Sequence, residues 1–144
     1  MPIRDQRLLD EYAEDVVFCE LCDLLHCCGH LRGEKHHITG GTSQRHDKLT
    51  NVVMLCRSAH RWVQETDIIP GRILCLWLKQ QRGQLDWAFF AKQHQCQWAW
   101  CEYRWAERRE RGPVLHMGRD ITPVVERCLR QLGEDFRRSM SKQT

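Results

Sequence analysis

Cys19-Glu-Leu-Cys22, His36-His37-Ile38, Asn51, Leu55-Cys56 and His60 follow one another along the first half of a 144-residue chain. Two kinds of metal chemistry are written into that order. Thiolates with two residues between them suit a closed structural zinc. Imidazoles with an amide nearby suit a hydrolytic cation that keeps a coordination position open. A paired histidine is a weak signal and Cys-x2-Cys a moderate one. The combined series, with Gly40-Gly41 after the pair and Leu55-Cys56-x3-His60-x2-Val63 at its end, is specific.

The series resembles the HNH endonucleases, the ββα-metal (His-Me finger) nucleases of phages and mobile elements, over residues 16–66. The resemblance implies a β-hairpin carrying His36 and His37, and a following helix that returns His60 to the same point. Adjacent strand residues point to opposite faces, which suits two different tasks for the pair. By resemblance, His36 and His60 are ligands of a catalytic divalent metal (Mg2+, Mn2+ or Zn2+), and His37 is the general base. Asn51 would hold the hairpin loop or polarise that base; read from the residues alone, it equally suits a helix N-cap. The implied reaction is hydrolysis of DNA, leaving 5′-phosphate and 3′-hydroxyl ends. An imidazole with a pKa of about 6.5 can take a proton from water at neutral pH. One divalent cation can bind a non-bridging phosphate oxygen and the leaving oxygen together.

Two positions depart from the family pattern. Relatives with a zinc knuckle carry a second cysteine where this chain has Ala59, so Cys19, Cys22 and Cys56 supply only three thiolates for a structural Zn2+. Structural zinc takes four ligands, and His26, Cys27, Cys28 and His30 are the candidate fourth; otherwise the site is weakened or absent. Many relatives have another histidine four residues after the last, where this chain has Gln64.

The elements that must position these residues follow from pattern. Leu8, Leu9 and Tyr12 predict a helix over Arg4 to Glu14, and Val16-Val17-Phe18 is β-prone. Residues 24–34 read as loop, Lys35 to Ile38 as one strand of a hairpin, and Thr39 to Ser43 as a turn. Val52, Val53, Cys56, His60 and Val63 recur at helical spacing, predicting a helix from Thr50 that Ile68-Ile69-Pro70-Gly71 interrupts. A further helix is expected from Arg72 to Arg82 with Gly83 as its stop. Asp86 reads as the cap of one long helix ending at Gly112-Pro113. Its stripe of Trp87, Phe90, His94, Trp98, Cys101 and Trp105 is expected to pack in the core, with base stacking or partner docking as sharper alternatives. The mixed charges of Glu102 to Arg111 predict a solvated face. Thr122-Pro123 opens a last helix with Val125, Cys128, Leu129, Leu132 and Phe136 on its apolar side, fraying from Ser139.

Length and composition fit one globular unit: residues 1–66 as nuclease core with an N-terminal helix, residues 67–144 as a helical extension packed on it. The expected class is α+β, a ββα-metal core with flanking helices and a mostly helical C-terminal half. Nine cysteines, an odd number, argue against complete disulfide pairing. Cys75, Cys96, Cys101 and Cys128 read as buried apolar residues. The longest apolar run, Ile73 to Leu78, is far too short to span a membrane, and the start has no apolar signal segment. A cytoplasmic protein of a bacterial or phage-infected cell is expected. The net charge of +3 is slight. Its excess falls on the motif segment, where Arg32, Lys35, Arg45, Lys48, Arg57 and Arg61 face only Glu34 and Asp47, making these six the candidate DNA contacts. The rival to a nuclease is a catalytically inactive zinc-knuckle module that binds nucleic acid, or an interaction module using the Trp-rich helix.

Overall fold

A computed structural model describes residues 2–25, 31–40, 46–93 and 97–142. The chain is mixed α and β, largely helical, with two small antiparallel sheets. Helix α1 (Gln6–Asp15) is capped by Asp5, whose carboxylate accepts from Leu8 N–H. The β-prone run after it pairs with the end of the segment read as loop, which is therefore partly extended: Phe18 bridges Arg32, Cys19 N–H donates to Leu31 O, and Gly33 N–H to Val17 O. Between those arms lies the short helix α2 (Cys22–Leu25).

Strand β1 (Glu34–His37) pairs antiparallel with β2 (Val52–Leu55), setting Glu34 opposite Leu55, His36 opposite Val53 and His37 opposite Val52. Helix α3 (Arg57–Arg61) follows, then a π-helical turn over Trp62–Thr66. The helix expected from Thr50 is therefore a strand first. Its residues are buried on both faces, since Val53 and Leu55 join the main core while Val52 and Met54 pack with Leu9 and Tyr12 of α1. A strand covered on both sides shows no alternation, so a run of apolar residues reads equally well as helix. The helix cap is Cys56, whose Sγ accepts from Ala59 N–H at 3.4 Å; Asn51 sits before β2 and caps nothing helical.

Helix α4 (Ile68–Gln81) begins earlier than Arg72. Pro70 and Gly71 occupy its first turn, where a missing N–H costs no helical bond, and the break falls at Asp67. Gly71 has a packing reason as well: a Cβ there would lie 2.8 Å from Val63 Cα, so α4 crosses the π turn at backbone contact. Gly83 ends the helix with φ +67°, as its position suggested.

The long helix expected from Asp86 is two, α5 (Trp87–Ala91) and α6 (Trp98–Glu110). Asp86 does cap α5, accepting from Phe89 N–H. Lys92 and Gln93 then donate to carbonyls three residues back, and Gln97 Nε2 donates to Ala91 O, which closes the helix. The division lets Trp87 and Trp98 pack edge to face at 6.0 Å and share Phe136 of the last helix. Trp87, Phe90, Trp98, Cys101 and Trp105 are all buried, so the stripe is core; His94 and Cys96 lie outside the described residues. Arg108 departs from the expected solvated face. It is buried and grips Asp67 with two bonds of 2.8 Å, while its remaining N–H groups reach Gly112 O and Pro113 O.

A hairpin that the sequence reading missed follows: β3 (Leu115–His116) and β4 (Arg119–Asp120), turning at Met117 and Gly118 with φ +50° and +77°. Two positive φ values make the turn hairpin-like, but Met-Gly lacks the Asn-Gly or Asp-Gly signature. Helix α7 (Thr122–Ser141) closes the fold, regular two residues past Ser139. Cys75, Cys101 and Cys128 are buried as expected. Among the described residues no helix is long and apolar enough to cross a membrane.

One polar cluster ties the small sheet to its helices. Glu20 accepts from Tyr12 Oη at 2.6 Å and from Met54 N–H at 2.7 Å; its other oxygen lies 2.7 Å from Arg82 Nε, an ion pair without hydrogen-bond alignment. Lys79, fully buried, donates to Tyr12 Oη and Gln84 Oε1 with its ammonium 4.3 Å from the Tyr12 ring centroid. This fixes α1, β2 and α4 relative to one another.

Candidate active site

Strand alternation sends the two histidines apart. His36 shares the face of Val53 and meets His60 of α3, their ring centroids 4.9 Å apart in an edge-to-face arrangement. His60 Nδ1 stands 3.2 Å from Glu34 Oε1. An ionised carboxylate can only accept, so that contact assigns the proton to Nδ1 and turns the Nε2 lone pair inward. His60 Nε2 and His36 Nδ1 are both buried without a hydrogen-bond partner. Orphaned buried ring nitrogens are uncommon, and two on touching rings suit a shared cation. Burial, then His60, His37 and Arg72, lowers the His36 pKa to about 3, so its imidazole is neutral and able to ligate at physiological pH. Glu34 orients one candidate ligand in the way carboxylates orient metal-bound histidines.

His37 turns to the other face, where its Nε2 lies 2.8 Å from Asp47 Oδ1. Asp47 is buried, and its second oxygen accepts from Asp5 N–H at 2.8 Å. The carboxylate again fixes the tautomer: the proton sits on His37 Nε2, and Nδ1 is the basic atom. Asn51 is fully buried behind the loop. Its side chain accepts from Thr39 N–H and donates to Thr39 O and His46 O, and it caps no helix.

His36 and His37 both line a cleft of about 910 Å3. Gln64, standing where relatives place another histidine, lines it too, as do Arg72, Arg104, Arg111 and Trp100. His60 touches His36 without lining the cleft itself. Arg32, Lys35, Lys48, Arg57 and Arg61 do not line it. Lys35 lies 3.9 Å from Asp10, Lys48 over the Phe89 ring, and Arg57 and Arg61 border a separate hollow beside Trp62 and His116. Arg45 lies outside the described residues. Arg104 and Arg111 lie where Glu and Arg mix and Arg72 stands among the apolar residues of α4, so a charge count gives none of them prominence.

Cys19, Cys22 and Cys56 are buried in the main core cluster. Among the described residues no three or more His, Cys, Asp or Glu side chains gather into a metal-holding group. The four candidate fourth ligands, His26, Cys27, Cys28 and His30, all lie outside the described residues.

Comparison of the chain with protein-family models, with curated proteins and with solved structures gives no match.

Proposed function

We propose that this chain is a metal-dependent endonuclease of the HNH kind that hydrolyses DNA phosphodiester bonds. The observation that carries the reading is the pair of orphaned ring nitrogens, His36 Nδ1 and His60 Nε2, on touching imidazoles of β1 and α3. Those two residues would hold the catalytic metal, with water and phosphate completing its shell. Bound there, a divalent cation would offset charge developing on the phosphate and the leaving oxygen.

The protein's own groups supply the rest. Asp47 accepts from His37 Nε2–H and so orients the ring and favours its protonated form once Nδ1 takes a proton from the attacking water. Asn51 holds Thr39 and His46 together, which ties the end of the segment after β1 to the start of the one before β2. Glu34 keeps the His60 ring turned toward His36. A structural zinc held by Cys19, Cys22, Cys56 and a ligand from residues 26–30 belongs to the same proposal.

Supercoiled-plasmid nicking with Mg2+, Mn2+ or EDTA tests it. Relaxed circles should appear with either cation and not with EDTA. DNA binding without nicking under every condition would leave a binding module in place of an enzyme.

A further inference from the structure

Two guanidiniums from different helices converge on one indole. Arg72 of α4 places its guanidinium carbon 5.3 Å from the Trp100 ring centroid, and Arg104 of α6 places its own at 5.7 Å. Trp100 is half-buried and is not part of the buried aromatic stripe. Like charges repel at such separations, and an aromatic face is a neutral surface that attracts both. The indole therefore fixes the spacing of two cations on the wall of the cleft that His36 and His37 line. Arg111 lines the same cleft. The lining carboxylate, Asp67, is held by Arg108 through two bonds of 2.8 Å. Glu107 lies 3.4 Å from Arg104, but both are about half-exposed, where such pairing is weak. Among its described lining residues the cleft thus carries three arginines and one carboxylate, which Arg108 already holds.

We infer that Arg72 and Arg104, set on Trp100, together with Arg111 on the same cleft, form the phosphate-binding wall that holds the DNA backbone against the histidines. This inference rests on the nuclease reading, and it moves substrate binding from the motif segment to α4 and α6. Guanidiniums on an indole contact phosphates and leave bases unread, so binding should be insensitive to sequence. Trp100 acts as a positioning residue.

Fluorescence anisotropy of a labelled DNA duplex, titrated in EDTA at several salt concentrations, tests the wall without any cleavage. Arg104→Gln/Arg111→Gln should weaken binding at least tenfold and reduce the salt slope by about two, since each phosphate contact contributes roughly 0.9 to that slope. Trp100→Leu should weaken binding while keeping most of the slope, because the charges remain but lose their spacing. Arg57→Gln/Arg61→Gln, on the other hollow, should change neither. The inference is overturned if the wild-type chain does not bind, or if the Arg57/Arg61 variant loses the slope and the Arg104/Arg111 variant keeps it. Plasmid nicking by the wild-type chain alongside either result would leave the nuclease reading intact, so the two can fail separately.

Discussion

Lys79 gives the most quantitative handle on how the site is held. Its ammonium is fully buried between Tyr12, Glu20 and Gln84, and burial lowers its pKa from 10.5 to about 8. Glu20 and Cys75 act in the opposite direction, and Arg82 adds to the lowering. The unfolded chain then binds the proton more tightly than the folded one. At about 1.4 kcal/mol per pH unit, the charged form costs the native state about 3 kcal/mol below pH 8. That cost disappears as pH rises through the interval from about 8 to 10.5, so stability rises there. Between pH 7 and pH 9 the expected gain is about 1 kcal/mol. Urea unfolding of the wild type and of Lys79→Met at a series of pH values isolates it. Cys128, whose thiol is pushed up to about 12 by burial, opposes the gain above pH 9 but is common to both proteins. The Tyr12 hydroxyl, pushed upward by burial and Glu20, opposes it only above about pH 10. The difference between the two proteins should therefore grow with pH in favour of wild type. Parallel curves from pH 7 to 9 would refute the account of a desolvated lysine.

Three further outcomes are expected. His37→Ala should reduce nicking by roughly 10²–10⁴-fold with DNA affinity in EDTA unchanged, and Asp47→Asn should reduce it less; activity within a few-fold of wild type for His37→Ala would remove that residue as the base. Gly71→Ala should lower stability by about 1–3 kcal/mol in thermal or urea unfolding, because its Cβ would meet Val63 at 2.8 Å across the α4 crossing; an unchanged melt would mean the helix slides without cost. Elemental analysis should find one zinc per chain, released with loss of folding by Cys19→Ser or Cys56→Ser, since structural zinc contributes on the order of 10 kcal/mol to small domains; near-zero zinc with a chelator-insensitive melt would make those cysteines core residues only.

Much of the frame was legible because local signals agreed with tertiary packing. Asp86 caps a helix, Gly83 ends one, and the amphipathic faces of α1 and α7 fall where their apolar residues repeat. The failures share a cause. Val52 to Leu55 is buried on both sides, so its period carries no information, and Trp87 to Trp105 keeps helical spacing across a break that packing around Phe136 imposes. At the site, the opposed directions of His36 and His37 follow from strand geometry and were readable. Asp47, ten residues from His37 in sequence, was counted only as a charge opposing the basic residues. Nor does any local pattern announce that Arg72 and Arg104 meet over Trp100, because the contact joins two helices more than a dozen residues apart.

The central claim is that His36 and His60 together hold a divalent cation. Electron paramagnetic resonance of free Mn2+ during titration measures this directly, since bound ions leave the sharp aqueous signal. The account predicts one Mn2+ taken up per wild-type chain, and uptake lost or strongly weakened in His36→Ala and in His60→Ala while circular dichroism stays native. Equal uptake by all three proteins, or none by the wild type, would contradict it.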